Sequence, residues 1–381
     1  MHQTMIIQSI RDEIKKNGRS KIAENSTIRL LRIVGSPFVT ESWMQGDDIE
    51  STELYDLAIK NKIPLLYLET LKKQGRLERL TPRYEETYKK YINFLNAFAK
   101  AARILNSGNI DYAVFKTVRP YPEVPGDIDA VILGKEELYE RATNLFLQSE
   151  YKEAVSDGPT PTKGDLMNFT ENVPIDLQQE LRLSWLTYMD KNKFKGKTIR
   201  VKLPSRDEVS VLPPEIDLAA VAIHSTMEQL YLLGEYYTFL YRLADMTDNS
   251  VNIFIGVLRE HKIVQAARSH LSLTAALHEA TYGIVPERLT AILSQIGVNM
   301  SEVRCLIKND FLLPHRYRIA TLIRVFMEKM QDGRFRHSVL IQMLKMLNPR
   351  LTLFMIRGLI ERRRRKYYIK DYVKNKIRFK A

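Results

Sequence analysis

The stretch Ile128-Asp129-Ala130-Val131-Ile132-Leu133, entered from Asp127 and closed by Gly134, constrains the fold of this chain more than any other. Its apolar run lacks the polar alternation of a half-exposed strand, so it predicts a strand covered on both faces, with its acids at the exposed mouth. Side chains on a strand alternate between faces, which puts Asp127 and Asp129 on the same side, about 7 Å apart. Upstream, Tyr112-Ala113-Val114-Phe115 reads as a short strand, followed by Lys116-Thr117 and a loop holding Pro120, Pro122, Pro125 and Gly126. A third acid, Asp176, lies in Val173-Pro174-Ile175-Asp176-Leu177-Gln178, also a strand by composition. On a neighbouring strand it would complete a trio of hard oxygen ligands, Asp127, Asp129 and Asp176. Such a trio suits Mg²⁺, which keeps several waters and takes the rest of its shell from substrate phosphates. The plain alternative is a turn in which Asp127 caps a strand edge and Asp129 is solvated, because Asp-x-Asp alone is a weak motif.

Around this centre the expected fold class is α+β, a small mixed sheet flanked by helical regions. Residues 1–108 form the N-terminal helical region. In it Leu54, Leu57 and Ala58, then Tyr91, Phe94, Leu95 and Phe98, recur at three-and-four spacing, and a helix from about Glu85 ends at Asn106-Ser107-Gly108-Asn109. Residues 109–212 form the sheet domain, with a helix from Lys135 to about Ser149, a loop containing Gly158, Pro159, Pro161 and Gly164, and a further strand at Thr198–Lys202. Beyond Pro213-Pro214, residues 213–355 read as helix with breaks near Asp248, Gly283, Gly297, Pro314 and Gly333. Residues 356–381 are a basic tail.

The net charge of +13 is concentrated in that tail, where eleven Lys or Arg and two acids follow Ile356. Arg362-Arg363-Arg364-Arg365-Lys366 with Tyr367, Tyr368, Tyr372 and Phe379 fits a nucleic-acid partner, the charges following phosphates and the aromatics stacking on bases. The block equally suits anionic lipid, since Leu351, Phe354, Met355, Leu359 and Ile360 precede it in amphipathic order, and a solvated helix is the bland reading. No apolar run reaches the length of a membrane span, and Met5-Ile6-Ile7, followed by Arg11, Asp12 and Glu13, lacks a signal-peptide core, so the expected location is cytoplasmic. The single cysteine, Cys305, excludes an internal disulfide and a multi-cysteine zinc site; beside Leu306 and Ile307 it reads as a buried thiol.

From about Leu54 to Asp245, half the chain, the sequence resembles the uncharacterised nucleotidyltransferase family of the polymerase-β-like superfamily. Val114-Phe115-Lys116-Thr117 matches the lysine that ends the first strand, Asp127-Ile128-Asp129 the paired acids, and Pro174-Ile175-Asp176-Leu177 the third carboxylate. Leu57-Ala58-Ile59-Lys60 and Ile63-Pro64-Leu65-Leu66-Tyr67 are similar to the helices that precede the sheet. Ala222-Ile223-His224 and Glu235-Tyr236-Tyr237-Thr238 are similar to those that follow it. The resemblance implies transfer of a nucleoside monophosphate from an NTP, such as ATP, to a hydroxyl. Asp127 and Asp129 would hold Mg²⁺ (or Mn²⁺), and Asp176 would join a second ion and assist the acceptor.

One departure stands out. Superfamily members place Gly-Ser or Gly-Gly after the first strand, opening a helix whose amides cradle phosphates. Here Thr117 occupies that point and three prolines forbid a helix before Asp127. Lys116, Thr117 and Arg119 are the expected replacements as nucleotide-phosphate ligands. The alternative is a catalytically silent nucleotide- or RNA-binding protein of the same fold. His224 reads as a packed helical residue, and Tyr231, Tyr236, Tyr237 and Tyr241 as core rather than a base-stacking platform.

Overall fold

A computed structural model describes residues 25–39, 52–156, 165–167, 173–307, 311–353, 356 and 377–379. Met5-Ile6-Ile7, the glycine and proline loop at 158–164, and all of the basic tail except Ile356 and 377–379 lie outside them. The chain opens with helices α1 (Ser26–Val34), α2 (Thr52–Lys60), α3 (Pro64–Lys73) and the long α4 (Thr81–Ser107). Next come β1 (Tyr112–Val114), β2 (Ile128–Ile132), α5 (Glu136–Gln148), β3 (Lys152–Ser156), β4 (Asp165–Met167), β5 (Pro174–Gln178), β6 (Leu181–Leu183), β7 (Leu186–Met189), β8 (Ile199–Lys202) and β9 (Glu208–Val211). The remainder is α6 (Pro214–Met227), β10 (Leu230–Tyr231), α7 (Leu233–Asp245), α8 (Asp248–Glu260), α9 (Val264–Tyr282), α10 (Glu287–Gln295), α11 (Met300–Arg304), β11 (His315–Arg316), α12 (Ile319–Lys329), α13 (Gly333–Met346) and β12 (Ile377–Phe379). Pro64, Pro82 and Pro214 stand in the first turns of α3, α4 and α6, where a missing N–H costs nothing.

The architecture is α+β. The main sheet runs β12-β3-β4-β5-β2-β1-β9-β8, with β2 parallel to β5 and β1 parallel to β9, the other neighbours being antiparallel. All five residues of β2 are buried, as its unbroken apolar run requires. Ile128, Ala130 and Ile132 pack with Phe94 and Phe98 of α4 and Phe146 of α5. The opposite face, through Val131 and Leu133, joins Phe115, Ile216, Ile223 and Phe254 in a core shared with α6 and α8. By strand alternation Asp129 belongs to this second face, at the seam between sheet and helices. A third core packs α1 to α3 against α7 and α9, and here Tyr231, Tyr236 and Tyr237 are fully buried.

Cys305 is exposed, correcting the expectation of a buried thiol. It lies just past the short α11, where Val303 supplies the inward side chain, so its apolar neighbours do not draw it in.

The helical region also holds an acid-sensitive histidine. His270 on α9 is fully buried, its Nδ1 at 3.1 Å from Ser225 Oγ and 3.3 Å from the Tyr317 hydroxyl. Burial lowers its pKa to about 3, and His261 is lowered to about 4 by burial and then Lys193. The unfolded chain therefore takes up protons first. Stability is fully present above the unfolded value near 6.5 and is lost as pH falls through the window down to the folded values. Calorimetry is expected to show the melting temperature dropping between about pH 7 and about pH 5, with a shallower drop for His270→Gln.

Candidate functional site

The parallel pairing of β2 with β5 sets Ile128 against Ile175 and Asp129 against Asp176. Partners in register on adjacent strands point to the same face, so this pairing brings two carboxylates together that are distant in sequence. Gln178 follows two residues later on that face. Its Nε2 donates to Asp176 Oδ2 at 2.6 Å and to Asp129 Oδ1 at 3.3 Å, so a single amide spans both acids.

Asp127 sits in a bend one residue before β2, half-buried, rather than within the strand. Its charge still reaches Asp129. The Asp129 carboxyl is pushed up to about 6, first by burial and then by Asp127 and Asp176, against the opposing pull of Lys116 and His224.

Lys116, two residues past the end of β1, has a left-handed backbone, φ 56°. Most residues avoid that region, and its occupation at a buried site is a modest store of strain. The conformation is held by Asp217 of α6, whose Oδ1 accepts from Lys116 N at 2.6 Å. The Lys116 ammonium lies 3.4 Å from Asp129 Oδ1 and 3.4 Å from His224 Nδ1. Burial alone would lower its pKa, but Asp129, Tyr188, Asp127 and Glu228 outweigh it and hold the lysine protonated. His224 Nε2 is in turn 3.3 Å from Glu228 Oε1. Burial would raise Glu228, yet His224, Lys62 and Lys116 keep it well below the usual carboxylate range. The result is a continuous polar chain, Asp176, Gln178, Asp129, Lys116, His224, Glu228, running from the sheet into α6.

Thr117 and Arg119 are committed to the protein's own frame. Thr117 is buried; its Oγ1 donates to Phe115 O at 3.1 Å and accepts from Asp129 N at 2.9 Å, fixing the backbone that carries the acid. The Arg119 guanidinium donates to Gly234 O and to Thr238 Oγ1 on α7. The proline-rich loop continues to Glu123, whose Oε2 accepts from Leu65 N at 3.0 Å and Leu66 N at 3.3 Å, capping the start of α3. Between its prolines the loop thus ties the sheet to helices on either side. Of the three expected phosphate ligands, only Lys116 has its charged group beside the acids.

Among the described residues, no three His, Cys, Asp or Glu side chains converge as a ready-made metal site. What stands at the seam is a pair of carboxylates with two buried oxygens beside them. Gln178 Oε1 and the Tyr188 hydroxyl have no hydrogen-bond partner among the described residues, and Tyr188, fully buried, feels the charges of Lys116, Asp129 and Asp176. Buried polar oxygens of this kind call for a partner. The two carboxylates, with Asp129 lifted by burial and by the neighbouring acids, are a donor set of the kind a hard divalent cation of the Mg²⁺ type takes, with water and phosphate completing its shell.

Sequence reasoning missed Gln178, Tyr188 and Glu228, and assigned His224 to packing. The signal for Gln178 was its spacing of two from Asp176 on a strand; the i, i+4 relation of His224 and Glu228 on one helix was the other.

No family model matches the chain, and no curated protein matches it. Among solved structures it is similar to an antigenic nucleotidyltransferase-like protein from Paracoccidioides brasiliensis, at 14% identity over 50% of this chain and 97% of that one, with a TM-score of 0.29.

Proposed function

We propose that this chain is a nucleotidyltransferase, dependent on Mg²⁺ or Mn²⁺, that moves a nucleoside monophosphate from an NTP to a hydroxyl acceptor. The observation that supports this most is the in-register pair Asp129 and Asp176, spanned by the Gln178 amide. Asp129 and Asp176 would hold the cation, with Asp127 at the mouth. Held there, such a cation would supply positive charge against the charge that develops on the triphosphate. Lys116 supplies a fixed positive charge beside that position, Thr117 fixes the Asp129 backbone, and Gln178 orients both carboxylates. In the reaction the acceptor oxygen bonds to the α-phosphorus, the bond to pyrophosphate breaks, and the acceptor's proton passes to Asp176.

The test is incubation with each labelled NTP and Mg²⁺ or Mn²⁺, alone and with cellular RNA or protein extract. Label is expected on one class of acceptor; absence of label with every NTP contradicts the reading. Gln178→Leu removes the shared donor while keeping the volume. It is expected to weaken Mn²⁺ binding and transfer by roughly 10–100-fold, the usual effect of losing a group that orients metal ligands. Titration followed by Mn²⁺ paramagnetic resonance checks this.

A second reading, a silent nucleotide- or RNA-binding protein, is favoured by two observations. The Lys116 ammonium already pairs with Asp129, and the loop after β1 has no helix to cradle phosphates. Calorimetric titration with ATP and Mg²⁺ beside the transfer assay separates the two, since the silent protein binds without turnover.

A further inference from the structure

Among the described residues the last two long helices each carry an apolar stripe that the rest of the described fold leaves uncovered. On α12, Ile319, Ile323 and Met327, with Met330 just past its end, repeat at helical spacing along one side and are 48%, 53%, 69% and 41% exposed, while Val325 and Lys329 take the inward side. On α13, Leu340, Met343 and Leu344, with Leu347 just past it, form a second stripe, 54% to 77% exposed. Uncovered apolar side chains in such number mark a contact surface rather than ordinary surface.

Charge decides what the surface contacts. Between Phe311 and Ile356 there are eight Lys or Arg against only Glu328 and Asp332, and of these Arg318, Arg324, Arg334, Arg336, Lys345 and Arg350 are exposed, Arg334 being paired with Asp190. A second copy of the chain would bring two such positive surfaces together. A nucleic-acid strand would meet the charges but find no platform of rings, since the exposed apolar residues of the two stripes are Ile, Leu and Met, Phe326 beside them is half-buried against Phe335, and His337 is the one exposed ring on the described part of α13. Aliphatic side chains flanked by arginine and lysine match a bilayer surface with anionic headgroups, the apolar stripe entering the headgroup boundary and the cations meeting phosphates and carboxylates. Among the described residues no helix is long and apolar enough to cross a membrane, so the contact lies in the plane of the surface.

We infer that the α12–α13 face docks this protein on anionic membrane. The test sediments the full chain with vesicles of phosphatidylcholine alone and of phosphatidylcholine with about 30% phosphatidylserine. Binding is expected only to the anionic vesicles. Met327→Asp with Leu344→Asp, both at exposed positions, is expected to weaken it by about tenfold or more without lowering the melting temperature. Should that pair disturb the fold, Arg324→Glu with Lys345→Glu reads the same face and is expected to weaken binding by at least about tenfold. Failure to bind anionic vesicles overturns the inference, as does binding that both variants retain, which would place the contact in the basic tail. A dimer dispersed by Met327→Asp and Leu344→Asp, or RNA held by this face in place of lipid, overturns it equally.

Discussion

Asp129→Asn is expected to lower nucleotide transfer on the order of 10³-fold while the chain stays folded, because the cation proposed for this site would lose one of its two carboxylates, and such an ion stabilises a transferring phosphoryl group by several kcal/mol. The substitution keeps the shape and leaves an oxygen to receive the Gln178 amide, but removes the negative charge shared with Asp176. Folding is spared for a reason visible in the site. Burial, then Asp127 and Asp176, hold the folded pKa near 6 against a reference of 3.8, so the folded state binds that proton more tightly than the unfolded one. Stability from this group is fully present below the reference value and is lost as pH rises through about 6. Asparagine removes that loss, offsetting the separation from Lys116. Thermal melting at neutral pH beside the transfer assay distinguishes a site variant from a misfolded one.

The second large effect is structural. Lys329 has no exposed side-chain surface; its ammonium donates to His261 O at 2.8 Å and pairs with Asp332 at 2.7 Å. Asp332 also caps α13, accepting from Arg334 N and Phe335 N. Asp332→Ala leaves a buried ammonium without its counter-ion and removes a helix cap. The expected cost is about 3–5 kcal/mol, or roughly 5 °C in melting temperature. The double variant Lys329→Met with Asp332→Asn is expected to recover most of this, since an apolar replacement for a buried pair is near neutral. Through Ser338 Oγ, which accepts from Thr187 N at 3.2 Å, and Arg334, paired with Asp190 at 2.8 Å, α13 supports β7 and its Tyr188. Loss of the cap therefore lowers transfer only in proportion to the folded fraction.

Strand β2 was legible because an apolar run broken only by acids at its head satisfies few structures except an interior strand. Asp176 was legible as an acid on a strand, but its register with Asp129 depends on pairing between strands 47 residues apart, which periodicity does not encode. His224 looked like packing since α6 is apolar on nearly all sides; only the tertiary approach of β1 brings Lys116 to its ring. Arg119 was expected at the phosphates, yet α7 offers the Gly234 carbonyl and the Thr238 hydroxyl nearer to hand. Cys305 was misplaced because it lies past the end of the short α11, where its apolar neighbour Leu306 is itself exposed.

The most direct test is a Mn²⁺ titration of the wild-type chain, Asp129→Asn and Asp176→Asn, each with a non-hydrolysable NTP analogue, read by paramagnetic resonance. The account predicts that nucleotide-supported Mn²⁺ binding is lost in both variants; wild-type binding in either one would contradict a shared cation at this pair.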